Sequence, residues 1–199
     1  VQEEVIPFLL GDDNDVIALA QTGTGKTAAF GLPILQKIDV TTYHPQALVL
    51  CPTRELCLQI ADDLNDYSKY IDNLKVLPVY GGSSIESQIK TLKRGVHVVV
   101  ATPGRLLDLM NRKTVDLSLV KNVIMDEADE MLNMGFTDSI NAILAEVPEN
   151  RNMLLFSATM PKEIANITKK YMKNPKEIVI GNKNEGNKNI RDIYYMVQA

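Results

Sequence analysis

The stretch Val16-Ile17-Ala18-Leu19-Ala20-Gln21-Thr22-Gly23-Thr24-Gly25-Lys26-Thr27 decides the fold. Its apolar opening is too short for a typical helix and too continuous for a half-exposed strand, so it reads as a strand buried on both faces. A loop of glycines and hydroxyls follows, and Gly25-Lys26-Thr27 then opens an apolar stretch of helical length. Glycines let successive backbone N–H groups turn inward, and a helix N-terminus adds a positive dipole end. Strand, loop and helix in this order make a phosphate cradle. In that reading Gln21, Thr22, Gly23, Thr24, Gly25, Lys26 and Thr27 surround the phosphates of a nucleotide. Lys26 reaches the β- and γ-phosphates, and the Thr27 hydroxyl ligates Mg²⁺. The generic pattern begins on a glycine; Ala20 holds that place here and is small enough to leave the loop its course. A flexible Gly/Thr turn is the alternative, and Gly-Lys-Thr at a helix start argues against it.

Similar apolar runs recur along the chain, over Val16–Ala20, Ala47–Cys51, Val76–Val79, Val96–Ala101, Val123–Met125, Met153–Phe156 and Glu177–Ile180. Between them lie amphipathic stretches, such as Thr53–Tyr70 with Leu56, Ile60 and Leu64 at helical spacing, Ser84–Lys93 and Phe136–Val147. Strand–helix alternation predicts an α/β fold, an open, mostly parallel sheet of about seven strands with helices on both faces. In such sheets ligands bind beyond the carboxyl ends of the strands, so function is to be sought in the loops after them. The polar Gly/Asn-rich segment from Gly181 to Asn189 reads as a linker, and the chain turns apolar again after it.

The 199 residues, 45% hydrophobic and 23% charged, describe an ordinary globular chain long enough for one large domain. A net charge of −4 gives no basic footprint, so any nucleic-acid partner must be held by local groups. Two cysteines, Cys51 and Cys57, fit neither a disulfide framework nor a zinc pattern and read as buried reduced thiols of a cytoplasmic protein. His97, inside a valine-rich run, reads as an ordinary strand residue. No apolar segment approaches the ~20 residues that span a bilayer, so no membrane partner is expected. The start at Val1, with neither a methionine nor a leader pattern, suggests a piece of a longer protein.

Met125-Asp126-Glu127-Ala128-Asp129-Glu130 follows the fifth apolar run. Taken alone, these acids are a solvated helix start whose charge complements the dipole. After a phosphate loop they read differently, because the bound metal needs a carboxylate at the end of a neighbouring strand. Asp126 fits that place, and Glu127 can orient or deprotonate a water for attack on the γ-phosphate. Lys26, Asp126 and Glu127 are thus the candidate catalytic residues, with Thr27 and Asp126 on the metal.

Ala20–Thr27 and Asp126–Asp129 resemble motifs I and II of the DEAD-box RNA helicases, and the other motifs of that family's first RecA-like domain follow in order. Gln2 resembles the glutamine of the Q motif, whose amide can pair with adenine N6 and N7. The stacking aromatic of the family would lie before Val1. Pro52-Thr53-Arg54-Glu55-Leu56 resembles motif Ia, Gly81-Gly82 the GG motif, and Thr102-Pro103-Gly104-Arg105 motif Ib. The resemblance implies that these grip an RNA sugar–phosphate chain with little sequence preference. Each alone is a common strand-to-helix turn. Ser157-Ala158-Thr159 resembles motif III, which implies a coupling contact between Asp129 and Ser157 or Thr159; Asn133-Met134-Gly135-Phe136 also follows the family pattern.

The resemblance implies a RecA-like P-loop domain over residues 1–182, using ATP and Mg²⁺, with 183–199 leading to a second RecA-like domain absent from this chain. With that domain go an arginine finger and half of each cleft, so this chain alone is expected to hydrolyse ATP barely and to unwind nothing. Two other readings stand beside it. A small-molecule P-loop kinase leaves the acidic motif, Ser-Ala-Thr and the RNA track unexplained. A non-catalytic nucleotide- or RNA-binding fragment is close to what the isolated chain would be.

Overall fold

Seven strands form one sheet in the order β3-β4-β2-β5-β6-β1-β7, and every neighbouring pair is parallel. They are β1 (Val16–Leu19), β2 (Ala47–Leu50), β3 (Val76–Val79), β4 (Val98–Ala101), β5 (Asn122–Met125), β6 (Asn152–Ser157) and β7 (Lys176–Val179). The helices are α1 (Gln2–Gly11), α2 (Lys26–Gln36), α3 (Arg54–Tyr67), α4 (Ile85–Lys93), α5 (Pro103–Asn111), α6 (Ala128–Asn133), α7 (Thr137–Glu146) and α8 (Lys162–Tyr171). The computed structural model describes residues 1–11, 15–21 and 23–179. Thr22, Ile180 and the expected linker over 183–199 lie outside the described residues.

Alternate residues of each central strand feed two cores. On one face Val49, Val100, Ile124, Leu154 and Phe156 meet Val5 and Leu9 of α1, Phe30 and Ile34 of α2, and Cys57, Ile60 and Leu64 of α3. On the other, Leu48, Leu50, Val99, Val123, Met125 and Leu155 meet α5 through Leu106 and Leu109, α7 through Ile140 and Ile143, and α8 through Ile164 and Ile167. This is the expected sheet with helices on both faces.

The edge strands depart from the expectation of burial on both faces. In β3 and β7 burial alternates or nearly vanishes, because each has a strand on one side only and a helix layer that thins at the rim. Pro78 sits in edge strand β3, where a missing N–H breaks no central ladder. The predicted helix over Thr53–Tyr70 is shorter: Thr53 is its cap, the hydroxyl accepting from Leu56 N at 3.2 Å, and the helix ends at Tyr67. Leu56 is only half-buried, and Cys57, Ile60, Ala61 and Leu64 form its inward stripe.

His97 lies just before β4 and is fully buried, its Nδ1 accepting from Lys75 N at 3.0 Å. Burial holds its pKa below the usual histidine value, so the ring is a neutral bracket between strands. Cys51 and Cys57 are both buried and unpaired as a disulfide. A hydrogen bond with Cys57, reinforced by burial, pushes the Cys51 thiol well up, which makes it inert packing. Among the described residues, no helix is long and apolar enough to cross a membrane.

Candidate functional site

The strand order sorts the chemistry into two halves of one sheet edge. The loops after β3, β4 and β2, contiguous at one side, carry Gly81-Gly82, Thr102–Arg105 and Pro52–Arg54. The loops after β5, β6 and β1, contiguous at the other, carry Asp126–Asp129, Ser157–Thr159 and the glycine-rich loop. Nothing in the spacing along the chain announces this division.

In the second half, β6 lies between β1 and β5, so their ends stand about 10 Å apart, two strand spacings. Lys26, first residue of α2, bridges that gap: its Nζ is 3.2 Å from Asp126 Oδ1, and both side chains are buried. A buried ion pair is worth its desolvation only with good geometry and further hydrogen bonds. Asp126 has one, its Oδ1 also accepting from Glu127 N at 3.0 Å. The helix that carries Lys26 is pinned to the sheet by Phe30 against Phe156 of β6, ring centroids 5.4 Å apart. Cradle and carboxylate are thus fixed on rigid elements.

Gly25 caps α2 at φ 80° and ψ 31°, a left-handed conformation that glycine adopts without penalty. The Gln2 side chain donates to Gly25 O at 3.2 Å. A Cβ at Gly25 would meet the end of the Gln2 side chain, which is exposed and can swing aside, so it is the left-handed backbone that disfavours other residues here. Gln2, which the sequence aims at adenine, therefore lies against the phosphate loop in this structure. Thr24 closes the loop, its hydroxyl donating to Gln21 O at 2.9 Å. Gly23 is exposed and Thr27 half-buried beside Lys26.

Glu127 has φ 51° and ψ 51°, the left-handed region that a glutamate adopts only at a cost. That turn lets Asp126 point back to Lys26 while α6 starts at once behind it. Burial holds the Glu127 carboxyl above its usual range; Lys26 pulls it down, and Asp126, Asp129 and Glu130 push it up. Asp129 Oδ2 accepts from Thr159 N at 3.0 Å and from the Thr159 hydroxyl at 2.8 Å. The contact runs to Thr159; Ser157, also named from the sequence, is fully buried, and its hydroxyl has no hydrogen-bond partner among the described residues.

In the other half, Arg54, Gly81, Gly82 and Gly104 are exposed, Thr53, Thr102 and Arg105 half-buried, and Pro52 and Pro103 buried. The Arg54 guanidinium lies 5.0 Å above the Tyr80 ring. Gly82, at φ 80°, brings its backbone beneath Arg54, with Nη1 3.5 Å from where a Cβ would stand. Arg105 turns its Nη1 inward, donating to Ser83 O at 3.2 Å and to Gln88 Oε1 at 3.1 Å. Tyr80, Ser83 and Gln88 were not singled out from the sequence. Gln88 had a signal: it shares a helix face with Ile85, Ile89 and Leu92, where an amide is out of place.

A family profile described as DEAD/DEAH box helicase matches residues 1–167. The chain is 51% identical over 197 residues to "ATP-dependent RNA helicase DeaD" of Mycobacterium tuberculosis, covering 99% of this chain and 35% of that protein. It is 54% identical over 196 residues to "DEAD-box ATP-dependent RNA helicase CshA" of Streptococcus pneumoniae, covering 98% of this chain and 37% of that one. Its fold is similar to the crystal structure of a DEAD box protein from Methanococcus jannaschii, with a TM-score of 0.84 and 46% identity, over 88% of this chain and 48% of that chain. A hypothetical ATP-dependent RNA helicase from Sulfolobus tokodaii gives a TM-score of 0.81 at 44% identity, over 90% of this chain and 51% of that chain. The chain spans about a third of the length of the curated relatives it matches.

Proposed function

The chain belongs to the DEAD/DEAH box helicase family, and from that premise we propose that residues 1–182 are the first RecA-like domain of an ATP-dependent RNA helicase. Residues 183–199 would lead to the second, and the whole protein would remodel RNA in the cytoplasm, where Cys51 and Cys57 stay reduced. The observation that carries the reading is the buried Lys26–Asp126 pair at 3.2 Å, with Glu127 held in a left-handed turn beside it.

The donor set suits Mg²⁺, which takes hard oxygens and commonly one or two carboxylates plus phosphate oxygens. Asp126 and Thr27 offer such oxygens. When bound, the metal supplies charge neutralisation for phosphates that accept a nucleophile. Lys26 would serve the β- and γ-phosphates, and Asp126 and Thr27 would hold the metal. The backbone from Gln21 to Gly25, Thr22 and Thr24 with it, binds the phosphates, and Gln2 leaves Gly25 O for the adenine edge. Glu127, its carboxyl above the usual range, is the better base for taking a proton from the attacking water. Asp129 and Thr159 transmit closure between the acidic turn and the loop after β6.

RNA is assigned to the other half of the edge: Arg54, Gly81, Gly82, Thr102, Gly104 and Arg105, with Pro52, Thr53 and Pro103 shaping the turns. An arginine finger from the second domain is worth about 10³–10⁵ in rate in related phosphoryl transfers, so the chain alone binds without appreciable turnover. Calorimetric titration of this chain with ATP and Mg²⁺ tests the nucleotide half. Lys26→Ala should weaken binding about tenfold to a hundredfold, the loss of one or two charge-assisted bonds. Equal affinity in the variant would remove Lys26 from the site.

A further inference from the structure

Gln88, on α4, is only 6% exposed, yet its side chain is polar. Both N–H groups and the oxygen of its amide are engaged: Nε2 donates to Tyr80 O at 3.1 Å and to the Ser83 hydroxyl at 2.7 Å, while Oε1 accepts from Arg105 Nη1 at 3.1 Å. The orientation admits no flip, since only nitrogen can give to a carbonyl and only oxygen can take from a guanidinium. Ser83 closes the set, its carbonyl accepting from the same Arg105 Nη1 at 3.2 Å and its hydroxyl donating to Tyr80 O at 3.4 Å. One buried amide thus ties together the turn that presents Gly81 and Gly82, which follows β3, and the arginine of α5, which follows β4.

We propose that Gln88 is the positioning residue of the RNA track, locking Arg105 and the Tyr80–Ser83 turn into one unit that meets a sugar–phosphate chain in fixed register. The inference rests on the RNA reading of this edge. The two inward bonds occupy Arg105 Nη1 alone, and a guanidinium has five N–H donors, so Nη2 and Nε remain for a phosphate oxygen. Without Gln88, Arg105 keeps only the Ser83 carbonyl, and the turn loses two of the bonds that hold it. The same turn carries Tyr80, on which Arg54 rests, so slack there reaches the second exposed arginine as well.

The test is fluorescence anisotropy of a labelled ten-nucleotide oligouridylate with this chain at low salt. Gln88→Ala is expected to weaken binding roughly fivefold to tenfold, the scale of one or two net hydrogen bonds. Gln88→Met fills the same space without the amide and replaces it should the alanine variant fail to fold. The distinguishing readout is a cycle with Arg105→Ala. If Gln88 acts through Arg105, its loss in the Arg105→Ala background falls to about twofold or less, the sign of coupled residues. Binding of Gln88→Ala or Gln88→Met within twofold of wild type, or losses that simply multiply in the double variant, would overturn the inference and leave the RNA reading standing. A wild-type chain that does not bind the oligonucleotide would overturn both.

Discussion

Glu127 combines two liabilities at one residue, a left-handed backbone and a carboxyl that burial disfavours as an anion. Both lower stability at neutral pH, which accords with the catalytic role proposed for this residue. The sign follows from linkage. Folding raises this carboxyl above its unfolded value, so its stabilising contribution is full below that value and is lost as pH rises through the folded one. Glu127→Gln keeps the shape and cannot ionise. It should melt about 1–2 °C above wild type at pH 8, with the gap closing towards pH 4. A gap that widens in acid would contradict the environment assigned to Glu127. The left-handed turn was not legible in the sequence, since a glutamate gives no conformational signal of the kind glycine gives at Gly25. That Lys26 meets Asp126 directly was likewise invisible: the motifs place both at one edge, but only packing shows that they neutralise each other.

Among elements, the short α6 and the loop after β6 are joined by Asp129 and Thr159. Thr159→Ala removes the hydroxyl bond and leaves the backbone one, whereas Asp129→Ala removes both. Amide exchange at Thr159 should therefore quicken roughly fivefold in Asp129→Ala, about 1 kcal/mol, and distinctly less in Thr159→Ala. Identical exchange in wild type and Asp129→Ala would mean that the contact does not hold the loop. The pairing partner of Asp129 was narrowed by the sequence to Ser157 or Thr159, and side-chain direction at the end of β6 selects the second. The element types were legible because apolar runs and amphipathic spacing are local properties. The burial of β3 and β7 was misjudged for the same reason: an edge position depends on strand order, which no local pattern carries.

Over the whole molecule, the order of the sheet divides one edge into a half that carries the glycine-rich loop and the acidic turn and a half that carries Arg54, Arg105 and the exposed glycine turns, while the chain as a whole stays acidic at −4. A few backbone turns and two arginines can hold a phosphate chain without a basic surface, at the expense of strong salt dependence. We propose that these halves work together in ATP turnover once a second RecA-like domain closes over them. RNA-stimulated ATP hydrolysis by the longer polypeptide that joins this chain to that domain measures this most directly. Turnover should rise on adding single-stranded RNA and exceed that of this chain alone by roughly 10³-fold or more. Glu127→Gln should lower it by about 10²–10⁴-fold, the range for a lost general base. Hydrolysis indifferent to RNA would mean that the two halves are not coupled, and turnover undiminished in Glu127→Gln would remove Glu127 from the chemistry.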